Sequence, residues 1–363
     1  MKLAGLRIID LSLFLPGPYL TLALADHGAE VIKVEPPGEG DPTRHLGPSD
    51  GGATVYFRNL NRGKKSVVVD LKDPQDREAL LKLCDSADVF VESFRPGVVD
   101  RLGVGYDAVR ARNPGIVYCS ISAFGQQGPL RDRPAHDLAV EALSGVLSVT
   151  LGADGKPAIP GLPLADLLAS LHGLAGVLMA LLRRERTGKG DYLDIAMHDS
   201  MLAGTPNILG PTLAENRQPV PRHERSTGGS AFYRLYETAD GRHLALGGQE
   251  MKFVRNLLGA LGRLDLAPLC ERPGPHQQPV MEFLEKTFKG KSLEENLAFL
   301  SRLDVCYAPV NTLPEALDAA RDKLLEDELG RRHLAPPIHF SDEPAHPSLR
   351  EPRLGEHDAL KNS

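Results

Sequence analysis

The sequence predicts an α/β protein: a large domain with a doubly wound parallel sheet, plus a smaller α+β domain. Two observations carry this. In the first third of the 363-residue chain, β-rich runs alternate with helical stretches at the spacing of βαβ units. After about residue 225 the alternation gives way to a hairpin followed by helical stretches. Composition agrees, since 42% hydrophobic and 25% charged residues describe a globular chain with a real core. A formal net charge of −6 offers no basic footprint for nucleic acid.

Taken in order, "LRIIDL" (6–11) reads as a buried strand, "PYLTLALADHGA" (18–29) as a helix and "EVIKVEPP" (30–37) as a strand ended by prolines. "KSVVVDL" (65–71), "ADVFVESF" (87–94) and "GIVYCSISAF" (115–124) are further strands. The helix at 73–87 opens with Asp73 as N-cap and Pro74 at the first helical position. A long helix over 165–186, nearly apolar all round, is expected to be buried, and "RRERTGKG" ends it with cations and a glycine stop. A strand returns at 191–197. Residues 231–248 form a hairpin around the Asp240-Gly241 turn, with helices near 251–262, 278–288 and 293–303 and a strand at 305–310. The expected domains are 1–200 (large), 201–224 (linker), 225–320 (small) and 321–363 (return linker and C-terminal segment packing on the large domain).

The apolar run at 167–182 is interrupted by Ser170, His172, Gly173 and Gly176 and falls short of the ~20 residues of a bilayer span. The start "MKLAGLRIIDL" lacks the form of a signal peptide. Four cysteines without a CxxC pair or metal spacing fit a reducing compartment. The expectation is a cytoplasmic protein without a membrane or nucleic-acid partner. No GxGxxG follows the first strand, where the loop reads "SLFLPGPY", which argues against a dinucleotide cofactor.

Three residues are candidates for chemistry. Asp166 starts the long helix; a single Asp there is ordinarily an N-cap, with the helix dipole lowering its pKa and desolvation raising it. His136 stands before an apolar helix, where a lone histidine is usually structural, although its neutral imidazole is abundant at pH 7 and suits proton abstraction. Asp137 beside it would more naturally cap the helix that begins there. Glu250 ends "LALGGQE" and reads as a helix N-terminal acid or as a carboxylate that orients an imidazole. Two basic clusters, Arg62 with Lys64 and Lys65, and Arg95 with Arg101, are anion-binding candidates. Arg95 is the better placed, beyond the carboxyl end of a strand.

"LAGLRIIDLSLFLPGPYLTLALADHGAEVIKVEPPGEGDPTR", "NRGKKSVVVDLK", "FVESFRPGVVDRLGVGYD", "ISAFGQQGP" and "ALLRRERTGKG" together resemble the family III coenzyme A transferases (CaiB/BaiF), a group that includes 2-methylacyl-CoA racemases. The resemblance covers nearly the whole chain. It implies a CoA thioester substrate, a Rossmann-like large domain joined by two linkers to the small one, no metal or redox cofactor, and a homodimer of interlocked chains whose sites combine one chain's large domain with the other's small domain.

Within the family two chemistries share the scaffold. A racemase would use Asp166 and His136 on opposite faces of the substrate's α-carbon, with Glu250 supporting the imidazole. A transferase would use Asp166 as a covalent nucleophile. The "GGSAFYRLYETADG" stretch resembles the racemase version of its loop, so 1,1-proton transfer on a 2-methylacyl-CoA is the first expectation and CoA transfer between carboxylic acids the alternative. The resemblance further implies CoA contacts at Lys64, Val69, Asp70, Leu71, Lys72, Ser93, Phe94, Arg95, Arg101, Ala135 and Asp137. Backbone amides at the start of the Asp166 helix are the expected donors to the enolate oxygen, and Leu167, Leu168 and Leu171 are expected to shape the acyl pocket.

Overall fold

The computed structural model describes residues 1–362, and the chain divides into two compact units. The first unit comprises Met1–Ser144, Gly161–Gly204 and the segment from Asp322 onward; the second comprises Gly145–Pro160 and Thr205–Arg321. In the first unit the chain runs β1 (Arg7–Asp10), α1 (Pro16–Asp26), β2 (Glu30–Glu35), α2 (Val55–Asn61), β3 (Lys65–Val68), α3 (Pro74–Cys84) and β4 (Val89–Glu92). It continues through α4 (Val98–Arg101), α5 (Tyr106–Arg112), β5 (Val117–Ser122), α6 (Asp137–Leu143), α7 (Leu164–Thr187), β6 (Asp191–Ala196) and α8 (Met197–Ala203).

The six strands form one parallel sheet in the order β3-β2-β1-β4-β5-β6. Ile8 pairs with Val31 on one side and Val89 on the other, placing the reversal of strand order at β1. Such a switch point opens a crevice beyond the strands' carboxyl ends, the usual ligand position in this architecture. Ile9, Ile32, Val67, Phe90 and Tyr118 are buried in one core cluster with α3 and α5. Asp73 caps α3 as the sequence suggests, its carboxylate accepting from the Gln75 and Asp76 amides.

Helix α7 packs on α1, β5 and β6. Its Gly173 allows the close approach, since a Cβ there would lie 2.6 Å from Leu20 Cδ1. The expectation of burial all round is corrected: Ala165, Ala169, Gly173, Val177 and Ala180 are buried, whereas Leu171, Leu178, Met179 and Leu182 are exposed. By length and composition α7 could cross a membrane, but its small-residue face is already taken up by the sheet and α1.

The C-terminal segment closes the free edge of β3. Asp358 accepts from the Val68 amide (2.7 Å), Lys361 donates to the Val68 carbonyl (2.7 Å), and the Gly355 amide donates to Ser66 Oγ (3.1 Å). An uncovered edge strand would be a template for aggregation.

The second unit contains α9 (Gly210–Glu215), β7 (Arg234–Glu237), β8 (His243–Leu246), α10 (Met251–Ala260), α11 (Gln278–Lys289), α12 (Leu293–Leu300), β9 (Tyr307–Pro309) and α13 (Leu313–Ala319). Its antiparallel sheet, ordered β7-β8-β9, packs Tyr236, Leu244 and Leu246 against Val254, Leu257, Leu284 and Phe288 of the helices. The β7–β8 loop is longer than a two-residue turn: Glu237 pairs with His243, and Gly241 takes φ +73° inside a five-residue connection. Residues 145–160, placed by the sequence in the large domain, group with this unit. Ser148 accepts from Gln218 (2.9 Å) and the Gly152 carbonyl from Arg222 (3.0 Å). The short hairpin β10 (Leu324–Glu326) and β11 (Arg332–Leu334) returns the chain to the first unit.

Beneath the loop after β1 lies a buried ionic network. Lys64 Nζ, fully buried, donates to Asp10 Oδ2 (3.1 Å), the Pro18 carbonyl (3.0 Å), Thr21 Oγ1 (2.8 Å) and Asn61 Oδ1 (2.9 Å). Lys33 donates to the Ser12 carbonyl (3.0 Å) and pairs with Asp41 (2.8 Å). Burial lowers the Lys64 pKa to about 8 against the pull of Asp10, while Lys64 and then Lys33 overcome the burial of Asp10 and hold its carboxyl below the usual range. Removing one member of a buried pair strands the other, so Lys64→Met is expected to cost about 3–5 kcal/mol of stability. Urea unfolding at pH 7 measures it, and a loss like that of an exposed pair, roughly 1 kcal/mol or less, would refute this role.

Candidate active site

The site is built where α6 meets the start of α7. Asp137 and Glu141, one turn apart on α6, both reach that helix end. Asp137 Oδ1 accepts from the amides of Ala165 (2.9 Å) and Asp166 (3.1 Å), and Glu141 Oε1 accepts from the amide of Leu164 (2.9 Å). The N-cap residue of α7 is Pro163, which supplies no side-chain cap, so these two acids satisfy the free amides of the first turn. The sequence expectations change in three respects. Asp166 is not the cap but sits within the first turn of α7. Asp137 caps α7 rather than α6, so its carboxylate is committed to the helix and not to CoA. The amides expected to stabilise an oxyanion are already occupied.

Asp166 is partly buried in this acidic surrounding. Burial, then the Asp137 carboxylate, then Glu141, push its pKa up to about 7. The sequence left helix dipole and desolvation in balance; the structure decides for desolvation, because the dipole's amides are neutralised by other carboxyls. Tyr56 on α2 completes the surroundings. Its hydroxyl is pushed up to about 12 by burial and by the Asp166 and Asp41 carboxylates, so it is a neutral donor group within electrostatic reach of Asp166. Sequence reasoning missed Tyr56, although Thr54, which caps α2 by accepting from the Phe57 amide, was a readable helix-start signal.

His136 is exposed at the N-cap of α6, with no side-chain cap bond, and its ring meets that of Phe14 edge-on at 6.1 Å. Phe14 belongs to the loop after β1 and holds φ at +60°, a left-handed conformation costing roughly 1–2 kcal/mol for a residue with a Cβ. Two contacts over-determine this loop: the Leu13 amide donates to Ser93 Oγ (3.2 Å), and Ser170 Oγ, one turn after Asp166, donates to the Pro16 carbonyl (2.6 Å). Strain maintained this way marks functional loops. Glu250 lies exposed at the N-cap of α10 in the second unit, again without a side-chain cap bond.

Of the expected CoA contacts, Val69 to Lys72 follow β3 and Ser93 to Arg95 follow β4, at the carboxyl edge of the sheet. Arg95 and Arg101 are exposed. Lys64 is corrected: fully buried with four partners, it has no donor left for a phosphate. Arg131 was not foreseen. Its guanidinium and that of Arg101 flank Gly97 (φ +77°), each with a terminal nitrogen about as far from a Cβ built there, at 3.4 and 3.5 Å.

The sequence model of CoA-transferase family III matches residues 3–358. The chain belongs to this family. Over 217 residues, 60% of the chain and 56% of that protein, it is 48% identical to the acetyl-CoA:oxalate CoA-transferase of Acetobacter aceti. Over 325 residues, 88% of the chain and 74% of that protein, it is 33% identical to the succinyl-CoA:glutarate CoA-transferase of Mus musculus. Among solved structures, a CaiB/BaiF family protein from Brucella suis superposes with a TM-score of 0.85 at 32% identity, covering 100% of this chain and 98% of that one. An aspartate-to-alanine mutant of a Mycobacterium tuberculosis protein superposes with a TM-score of 0.86 at 31% identity, covering 99% and 98%.

The raised Asp166 pKa sets a stability signature. In the unfolded chain an aspartate loses its proton near pH ~4, whereas the folded form keeps it to about 7. Between those values the folded state binds more protons, so stability falls as pH rises. Asp166→Asn is therefore expected to raise Tm, with a gain that opens above pH ~4 and levels off above about 7. Melting curves across that range test it; a pH-independent difference would contradict the assignment.

Proposed function

We propose that this chain is an acyl-CoA transferase of family III that moves CoA between carboxylic acids, with Asp166 as the covalent nucleophile. The observation that carries this reading is the Asp166 carboxyl itself: partly buried, free of the capping role and more basic than an ordinary aspartate. Being related to proteins named as CoA-transferases favours this alternative over α-proton transfer. The exposed His136 is then a group at the mouth of the site rather than an obligatory second base.

The steps follow from carboxylate and thioester chemistry. Ionised Asp166 attacks the thioester carbonyl; the C–S bond breaks, giving an acyl–Asp166 anhydride and CoA thiolate. The thiolate attacks the aspartyl carbonyl, releasing the first carboxylate and leaving an Asp166–CoA thioester. An incoming carboxylate repeats the two steps in reverse. No redox or metal cofactor enters this balance, and CoA is part of the substrate. For CoA we assign the carboxyl edge of the sheet: Val69, Asp70, Leu71 and Lys72, then Ser93, Phe94 and Arg95, with Arg101, Arg131 and Ala135. Arginines there match phosphate oxygens with paired N–H donors.

The same reading includes an interlocked homodimer in which Glu250 is supplied to the site by the partner chain. An exposed apolar stripe on α7, Leu171, Leu178, Met179 and Leu182 at helical spacing, supports a protein-covered face. Light scattering of the wild type is expected to give twice the chain mass, and Leu178→Glu with Met179→Glu to reduce it; a monomeric wild type would end the dimer proposal.

Activity is tested with acetyl-CoA or succinyl-CoA as donor and oxalate or glutarate as acceptor. Wild type should exchange CoA, with a covalent CoA adduct on Asp166 seen by mass spectrometry, and Asp166→Ala should lose at least about 10³-fold in kcat, as removal of a nucleophile does. His136→Ala should only weaken transfer. Deuterium uptake at the substrate α-carbon without an adduct, abolished by His136→Ala, would restore the racemase reading.

A further inference from the structure

Glu141 is fully buried, and one of its oxygens, Oε1, accepts from the Leu164 amide at 2.9 Å. The other, Oε2, is buried without a hydrogen-bond partner if the group is an anion. Yet the neighbouring carboxyl of Asp137 lies within hydrogen-bonding contact. Two carboxylates sharing a buried site cannot both ionise cheaply. Asp137 Oδ1 accepts two amide N–H groups whereas Glu141 accepts only one, so fewer bonds stand against a proton on Glu141.

We propose that Glu141 is a positioning residue: held as the neutral acid, it donates its Oε2 proton to Asp137 and clamps that carboxylate over the first turn of α7, fixing Asp166. This rests on the transferase reading only for the consequence to catalysis. In this state each polar atom has a role. The orphan oxygen becomes a donor, Oε1 keeps the Leu164 amide, and Asp137 keeps the Ala165 and Asp166 amides.

The groups around Glu141 agree. Its own helix contributes Asp137, and α7 contributes Asp166, both acidic. Helix α8, which also packs on α6, carries His198 and Asp199 paired to each other, with Asp199 largely exposed. No cation in this set compensates a second buried negative charge. Burial, opposed by the Leu164 amide and reinforced by Asp137, raises the Glu141 carboxyl above the usual range. Ionising it would place a further charge beside Asp166 and remove the donor that holds Asp137.

Glutamine has the same shape, with a carbonyl for the Leu164 amide and an NH₂ donor for Asp137, and it does not titrate. Glu141→Gln is therefore expected to rescue what Glu141→Leu loses. The leucine variant should fall roughly 10–100-fold in kcat with little change in KM, as displaced reacting groups do. The glutamine variant should stay within about threefold of wild type, and the fall of kcat with rising pH that Glu141 ionisation causes in the wild type should disappear from its pH profile. Isotope-edited infrared spectra of the resting protein should show a neutral carboxylic acid carbonyl that vanishes in Glu141→Gln. A glutamine variant as impaired as the leucine one, an unchanged fall of kcat with rising pH, or no such acid band would overturn the proposal. Failure of the transferase reading looks different: no adduct forms on Asp166 in any variant, while the infrared band of Glu141 remains.

Discussion

The free amides at the start of α7 are the constraint around which the site is organised. A helix of this length presents a partial positive charge at its N-terminus, and an anion placed there is stabilised. In this protein Asp166, the proposed nucleophile, is not the group placed there. Asp137 and Glu141, delivered from α6, occupy the amides of Leu164, Ala165 and Asp166. Asp166 is left in a field set by other carboxyls and by burial, and its pKa rises rather than falls. The same two acids therefore hold the start of the helix and add to burial in raising the basicity of the residue it carries.

A second set of charges works at a distance from the reacting groups. Lys64 and Asp10, with Thr21, Asn61 and the Pro18 carbonyl, fill the space beneath the loop that follows β1. Burying ions is costly unless geometry and hydrogen bonds are nearly complete, and here all four partners of Lys64 lie within 3.1 Å. The loop above holds Phe14 at φ +60° against His136. The network reaches this loop through Lys33, whose ammonium donates to the Ser12 carbonyl.

Much of this architecture is legible in the residue pattern. Strand periodicity and helix-start residues identify the six parallel strands and α3, because those signals are local: Asp73 caps amides two and three residues ahead. Glu141 escapes notice for the opposite reason, since its partner amide lies 23 residues on, and Asp137 reaches amides 28 and 29 residues on. Lys64 misleads for a related one. In "NRGKK" it looks like part of an exposed basic patch, but the sequence does not show that Lys65 turns outward to Glu30 while Lys64 turns inward to Asp10. Apolar composition likewise overstates the burial of α7, because a helix covered on one face by the chain's own sheet can keep leucines on the other for a different surface.

Under the proposed transferase mechanism, the basicity of Asp166 also bears on which way the reaction runs. In a mixed anhydride between Asp166 and a substrate carboxylate, the thiolate can attack either carbonyl, and the better leaving group is the weaker base. Ordinary carboxylic acids titrate near ~4, whereas Asp166 titrates at about 7. Attack at the aspartyl carbonyl expels the weaker base, the substrate carboxylate, and carries CoA forward onto the protein. Attack at the substrate carbonyl must expel the stronger base, Asp166, and merely returns the starting thioester. A nucleophile made more basic by desolvation and neighbouring acids thus gains at both stages, attacking the thioester more readily and then partitioning toward transfer. The cost is the fraction of Asp166 that remains protonated at neutral pH. Glu141 is one of the groups that raise Asp166, so holding it uncharged limits that fraction.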